Sequence, residues 1–196
     1  MSITASQVKE LRTKTGCGMM DCKKALVKTE GDIEAAIKYL REKGLSKAAK
    51  KATRETKEGL VHSYIHSTGK IGVMIEVNCE TDFVARTDAF IEMCDDIAMH
   101  IAATAPLALT ADEIDEDIIV SEREIYRQKA LNDGKPEKIV DKIVDGQINK
   151  FLKENCLLEQ EFVKNPDIRI KDLVNEAVST LGENIQIARF VRYQIG

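Results

Sequence analysis

Apolar residues along this chain follow two different periods, and the change falls shortly before residue 60. Up to Leu40 the period is helical. Val8 and Leu11 lie three apart on one face of a first helix that Thr4 or Ser6 can N-cap. Thr15-Gly16-Cys17-Gly18 then breaks it, because two glycines so close favour a tight turn. A second helix offers Met20, Ala25 and Leu26 to the interior. Glu30-Gly31-Asp32 supplies a turn and an N-cap, and Ile33, Ala36, Ile37 and Leu40 recur at i, i+3, i+4, i+7 as the stripe of a third helix. Helices this short bury little surface, so the unit they form is expected to be modest in stability.

Beyond the Ala/Lys-rich stretch Arg41–Arg54 the period becomes that of a strand. Leu60–His66 is rich in strand formers, and Ser67-Thr68-Gly69-Lys70 reads as a hairpin turn. Ile71, Val73, Ile75, Val77 and Cys79 then alternate with Gly72, Met74, Glu76 and Asn78, which puts all five on one face. Phe90, Met93, Ile97 and Ile101 mark a long helix. A charged stretch, Asp112–Glu124, leads into a helix ending near Leu131. Asn132-Asp133-Gly134-Lys135 stops it, and Pro136 is placed to start the next. That helix, Glu137–Glu154, has Ile139, Ile143, Ile148, Phe151 and Leu152 as its apolar points. It is charged enough to project from the body as half of a helical hairpin. Lys171–Leu181 gives a short helix closed by Gly182. Ile185, Ile187, Val191, Tyr193 and Ile195 form a terminal strand.

The pattern predicts an α+β protein with an antiparallel sheet covered by helices. Its expected parts are a three-helix domain over residues 1–45, a basic helical connector over 46–58, and an α+β core over 59–196.

Composition narrows the class. The chain has 196 residues, 43% hydrophobic and 32% charged, with no Trp, so aliphatic cores are expected. No apolar run approaches the roughly 20 residues that span a bilayer, and Met1–Glu10 lacks the apolar stretch of a secretion signal, so a cytosolic protein is expected. Five scattered cysteines read as reduced thiols rather than a disulfide framework.

The net charge of −4 hides an asymmetry. Residues 1–58 carry 14 Lys and Arg against 8 Asp and Glu, whereas residues 59–196 carry 15 against 25. The basic stretch contains no aromatic residue for base stacking, so a solvated helix is favoured over nucleic-acid binding.

Catalytic chemistry finds no foothold. His62, His66 and His100 lack Cys or carboxylate partners at metal-ligand spacing, and surface or half-buried positions are expected for them. Cys17 and Cys22 have no second pair to complete a zinc site. No phosphate-binding glycine loop or nucleophile elbow occurs. Neither a catalytic residue, a metal site nor a cofactor is assigned.

Two stretches exceed what packing requires. Met19-Met20 sits at the start of the second helix, where core and surface roles are equally open and one of the two is expected to point outward. Thr81-Asp82-Phe83-Val84 sits where a strand gives way to a helix. By local rules Thr81 or Asp82 is an N-cap and Phe83 a core residue. The alternative makes Phe83 an exposed aromatic anchor beside a carboxylate. Periodicity does not choose.

The motifs themselves add more. Ile3–Arg12 with Thr15–Leu26, and Glu76-Val-Asn-Cys-Glu-Thr-Asp-Phe-Val-Ala-Arg86, closely resemble the two signatures of the elongation factor Ts family. Ala98–Ala103, Gly134-Lys-Pro136 and Gly182-Glu-Asn-Ile185 agree as well. The resemblance implies a ubiquitin-associated-like N-terminal domain, and a non-enzymatic exchange factor that releases GDP from elongation factor Tu. By the same resemblance Lys9, Arg12, Met19 and Met20 would press on the partner's GTPase domain. Thr81, Asp82, Phe83 and Val84 would form the second contact, with Asp82 and Phe83 expected to reach towards the magnesium and phosphate region, Thr81 to cap and Val84 to pack. Longer members of the family carry two core subdomains, so this short chain is expected to pair as a homodimer. The lack of Cys near Phe190-Val191-Arg192 excludes a disulfide across that strand. The rival readings are a ubiquitin-associated-like binding module on an unrelated scaffold, and a small RNA-binding protein using the basic connector.

Overall fold

The computed structural model describes residues 3–15 and 17–196. Gly16, one of the two glycines expected to break the first helix, lies outside the described residues, as do Met1 and Ser2. The chain is α+β, and it divides into two compact units. One comprises Met1–His62, Ile75–Asp95 and Asp172–Ala188, and the other Ser63–Met74, Asp96–Lys171 and Arg189–Gly196.

Three helices open the first unit: α1 (Ala5–Thr15), α2 (Met19–Lys28) and α3 (Ile33–Lys51). Thr4 and Gln7 start α1 with a reciprocal capping box, Thr4 N–H to Gln7 Oε1 at 3.0 Å and Gln7 N–H to Thr4 Oγ1 at 3.3 Å. Glu30 and Gly31 take positive φ between α2 and α3, and the Gly31 N–H closes on Leu26 O at 2.8 Å. Asp32 then caps α3 by accepting Ala35 N–H at 3.0 Å. Val8, Leu11, Cys22, Ala25, Leu26, Ala36 and Leu40 form the core of this bundle.

α3 runs unbroken through the basic stretch to Lys51. Leu40, Gly44 and Ala48 are buried at four-residue intervals. A Cβ on Gly44 would lie 3.7 Å from Ser179 of α8 (Ile170–Leu181), so the two helices approach closely there. Arg41 pairs with Asp172, and Lys51 Nζ donates to Val178 O at 3.3 Å.

In the second unit α6 (Glu116–Asn132) and α7 (Glu137–Asn155) form an antiparallel hairpin. Gly134 at φ +70 closes the turn, and Pro136 stands at the start of α7, where a missing N–H leaves nothing unpaired. Arg123–Asp145 (2.9 Å) and Arg127–Asp141 (2.7 Å) fix the register, one helix rising as the other falls. Val140, Val144 and Ile148 face the seam with Ala130, while Ile139 is exposed. Of the expected apolar points, Ile148 is buried in the seam and Ile143 and Leu152 pack against it, whereas Ile139 turns outward and Val140 and Val144 complete the inward stripe. A small ribbon, β3 (Glu161–Phe162) with β4 (Asn165–Arg169), was not legible in the sequence: it is two residues wide on one side and polar on the other.

The main sheet has strand order β1 (Glu58–Ile65), β2 (Ile71–Cys79), β5 (Gln186–Gln194), and its strands contribute residues to both units. The turn after His66 carries Gly69 at φ +68, with His66 N–H bonded to Ile71 O at 2.9 Å. β2 keeps the expected alternation, with Val73, Ile75, Val77 and Cys79 buried. α5 (Asp88–Thr104) buries Phe90, Met93, Ile97 and Ile101, again as expected.

Two expectations are corrected. β5 does not keep one apolar face: Ile185 and Ile187 are buried, but further on Phe190 and Arg192 are the more covered residues, and Val191, Tyr193 and Ile195 are exposed. A change of parity within a strand sends every following side chain to the opposite face. His100 is buried rather than superficial, because it falls on the inward face of α5 beside Ile97 and Ile101 and finds polar partners there. His62 is half-buried and His66 exposed, as expected.

Candidate partner-binding site

β2 ends at Cys79, and the chain turns through Glu80 and Thr81 into α4 (Asp82–Ala85), a helix of one turn. Thr81 is extended (φ −132°, ψ 151°) and caps α4 by accepting Val84 N–H on Oγ1 at 3.4 Å. Val84 and Ala85 face inward, each 6% exposed. Phe83 is 79% exposed, more than any other large apolar side chain among the described residues. The local-rule account of Phe83 as a core residue therefore fails, because the single turn of α4 aims Val84 and Ala85 inward and leaves position 83 on the outer face. Asp82 also stands outside and pairs with Arg86 at 2.8 Å across that turn.

The turn is fixed from beneath. Glu183 accepts Glu80 N–H (3.1 Å) and Thr81 N–H (3.0 Å) on Oε2, and the Thr81 hydroxyl (2.7 Å) on Oε1. Cys79 Sγ donates to Thr81 O at 3.1 Å, and burial pushes this thiol's pKa up. Burial also pushes Cys94 up, to about 12, so both behave as inert structural thiols. Glu80 accepts Asn184 N–H at 2.6 Å and the Arg54 guanidinium at 3.3 Å, which together hold its carboxyl below the usual carboxylate range. Past Ala85, Thr87 donates to Val84 O at 2.8 Å and accepts Phe90 N–H at 3.3 Å, capping the next helix.

The N-terminal candidates lie on α1 and α2. Lys9 and Arg12 are exposed three residues apart on one face of α1. Met19 and Met20 are 60% and 63% exposed. Both point outward, where only one was expected to. Cys22, Ala25 and Leu26 already fill the interior of α2, and its first two positions lie beyond that core. Asp21 beside them is held by Lys43 at 2.8 Å and Lys47 at 3.2 Å, which lower its pKa.

Sequence reasoning missed the residues that brace the turn. Glu183 and Asn184 lie about a hundred positions from Thr81 in the chain, and only the motif Gly182-Glu-Asn-Ile185 pointed to them, without a role. No helix among the described residues is long and apolar enough to cross a membrane, and no group of three or more His, Cys, Asp or Glu among them could hold a metal ion.

A solvent-facing aromatic on a braced turn and an outward pair of methionines on α2 leave large apolar side chains exposed, the kind of surface found on proteins that bind other proteins. The family model described as Elongation factor TS matches residues 4–196. Elongation factor Ts of Desulfosudis oleivorans is 58% identical over 195 residues, covering 100% of this chain and 98% of the relative. That of Fervidobacterium nodosum is 56% identical over 196 residues and 100% of both chains, and that of Nitratidesulfovibrio vulgaris 59% over 196 residues, 100% and 98%. The chain belongs to the elongation factor Ts family, the exchange factors of translation.

Proposed function

We propose that the chain binds elongation factor Tu in its GDP form and promotes GDP release by pressing Phe83 and Asp82 against the magnesium and phosphate region of the GTPase domain. Lys9, Arg12, Met19 and Met20 make the second contact, and Thr81 and Val84 hold the wedge in shape. The observation that carries the reading is Phe83, 79% exposed on a turn whose cap and neighbours are bonded to the body. Burying such a side chain in a partner stabilises the complex by roughly 1.5–3 kcal/mol. It helps only the partner conformation that offers a pocket. By linkage, a factor that prefers the nucleotide-free partner must lower that partner's affinity for GDP by the same factor. Magnesium on the nucleotide's phosphates is a large local charge, so a carboxylate and an aromatic displacing its surroundings weaken GDP sharply. No bond is made or broken by this chain, and the role belongs in the cytoplasm with the ribosome.

The test is release of fluorescent GDP from elongation factor Tu with intact chain and with Phe83→Ala. The intact chain should accelerate release, and the variant should melt at the same temperature yet accelerate it at least about tenfold less. Failure of the intact chain to accelerate release defeats the reading.

The basic stretch supports this role over RNA binding, since Lys43 and Lys47 are engaged with Asp21, Arg41 with Asp172 and Arg54 with Glu80. A homodimer is also proposed. In the second unit Ile65, Met74, Val191, Tyr193 and Ile195 are exposed on sheet strands or the residue after them, an apolar surface suited to a second copy.

A further inference from the structure

A one-turn helix does not hold itself, because forming its first hydrogen-bonded turn is unfavourable in isolation. α4 is four residues long, its cap bond is long at 3.4 Å, and Phe83, mostly exposed, gains little from packing. Something else must keep the aromatic in one place. We propose that Glu183 is a positioning residue for Phe83, acting through the backbone of Glu80 and Thr81 to keep the wedge pre-formed. The proposal rests on the exchange-factor reading above.

The geometry supports it bond by bond. One carboxylate takes both N–H groups at the entrance to α4 and the hydroxyl of the capping residue, three bonds of 2.7 to 3.1 Å. An ionised acceptor makes such bonds roughly twice as strong as neutral ones. With its proton committed to Glu183, the Thr81 oxygen presents a lone pair to Val84 N–H, so the clamp also orients the cap. The clamp is reciprocal: Glu80 accepts Asn184 N–H at 2.6 Å, so adjacent residues of each segment grip the other. Asn184 is buried, and its side-chain amide donates to Arg54 O at 2.8 Å and Ala52 O at 3.4 Å, joining the end of α3 to the same brace. Gly182, at φ +85, makes the turn out of α8 that delivers Glu183 to this position. A wedge already fixed in its bound shape gives up less freedom on meeting its partner, so more of the contact energy appears as binding.

The experiment compares the intact chain with Phe83→Ala, Glu183→Ala, Glu183→Gln and the double variant Phe83→Ala/Glu183→Ala. Release of fluorescent GDP from elongation factor Tu is followed together with amide hydrogen exchange at Glu80, Thr81 and Val84. Glu183→Ala should slow release by about tenfold and strip protection from those amides. Glu183→Gln should keep most of both, because its amide oxygen still accepts the two N–H groups and its NH2 still meets the Thr81 hydroxyl. The double variant should be no slower than Phe83→Ala alone, as expected when one residue acts through another.

The proposal is overturned if Glu183→Ala releases GDP as fast as the intact chain while Phe83→Ala is slow. An equal slowing in both backgrounds overturns it too, and so does loss of the folded state in Glu183→Gln. If Phe83→Ala is itself fully active, the exchange-factor reading of the wedge falls instead. Unchanged amide protection in Glu183→Ala would then still dismiss the clamp, and lost protection would still uphold it.

Discussion

Nε2 of His100 lies 2.9 Å from Oε1 of Gln160, and both residues are buried. Nδ1 of the same ring accepts Val163 N–H at 3.3 Å, which leaves the single ring proton on Nε2 to be donated to Gln160. The imidazole is thus satisfied in its neutral form. A second proton, on Nδ1, would face an N–H that already points at it.

Stability should therefore fall in mild acid. Burial lowers the pKa of His100 below its ordinary 6.5, and this outweighs the bond to Gln160. As pH drops through the unfolded value, the unfolded chain takes up a proton that the folded chain refuses. Stability is then lost by up to about 1.4 kcal/mol per pH unit, until the lowered folded pKa is reached. Above the unfolded value the group contributes no slope. Urea midpoints measured from about pH 6.5 down to about pH 5 should show this loss, and His100→Phe should remove that part of the slope. Equal slopes in both proteins would mean that His100 protonates in the folded state.

Gly59 carries a second stability prediction. Its φ is +154°, and a Cβ there would lie 2.3 Å from Val77 O and 2.8 Å from Asn78 Cα, both backbone atoms of the strand that leads into the candidate site. Neither atom can swing aside as the end of a side chain could. Gly59→Ala should lower unfolding free energy by about 2 kcal/mol or more, read as a shift in urea midpoint at unchanged slope. It should also displace Asn78 and so slow GDP release. A variant as stable as the parent would show that β1 and β2 can part at this point.

What was legible in the sequence divides by the range of the interactions. The alternation from Ile71 to Cys79 and the stripe from Ile33 to Leu40 set their own elements, since period alone decides which face is inward. A cap at Thr81 or Asp82 was equally local. Phe83 was not, because a core Phe and an anchor Phe have the same neighbours in sequence, and only the inward aim of Val84 and Ala85 decides between them. The Glu183 clamp and the parity change in β5 depend on partners far along the chain, so no window of residues contains them.

The methionine pair should be separable from the fold. Met19 and Met20 are well exposed, and the core of α2 closes without them. Met19→Ala and Met20→Ala should each change unfolding free energy by no more than about 0.5 kcal/mol, whereas Leu26→Ala, at a fully buried position, should lose about 2–5 kcal/mol. Titration of the same Met variants against elongation factor Tu should show affinity reduced about fivefold or more for each. Thermal midpoints that fall as they do for Leu26→Ala would return these residues to the core.

The exposed strand surface of the second unit yields the remaining prediction. Tyr193 is 72% exposed, Ile195 71%, Ile65 66% and Met74 51%. Ile65 lies over Gly72, whose Cβ would come within 3.1 Å of its Cδ1, so Ile65 shares a face of the sheet with the even-numbered positions of β2, Met74 among them. Arg192 donates to Ala102 O of α5 at 3.0 Å and 3.2 Å, which places its neighbours Val191 and Tyr193 on the side away from that helix. In a two-fold pair each of these residues meets the same surface on the other copy, so one substitution acts twice. Tyr193→Lys should therefore weaken self-association about a hundredfold or more, since it sets two desolvated charges in one apolar interface. Light scattering should report twice the chain mass for the intact protein and a single chain mass for the variant at the same concentration, with helix content unchanged. A single chain mass for the intact protein at tens of micromolar would leave that face without a partner copy.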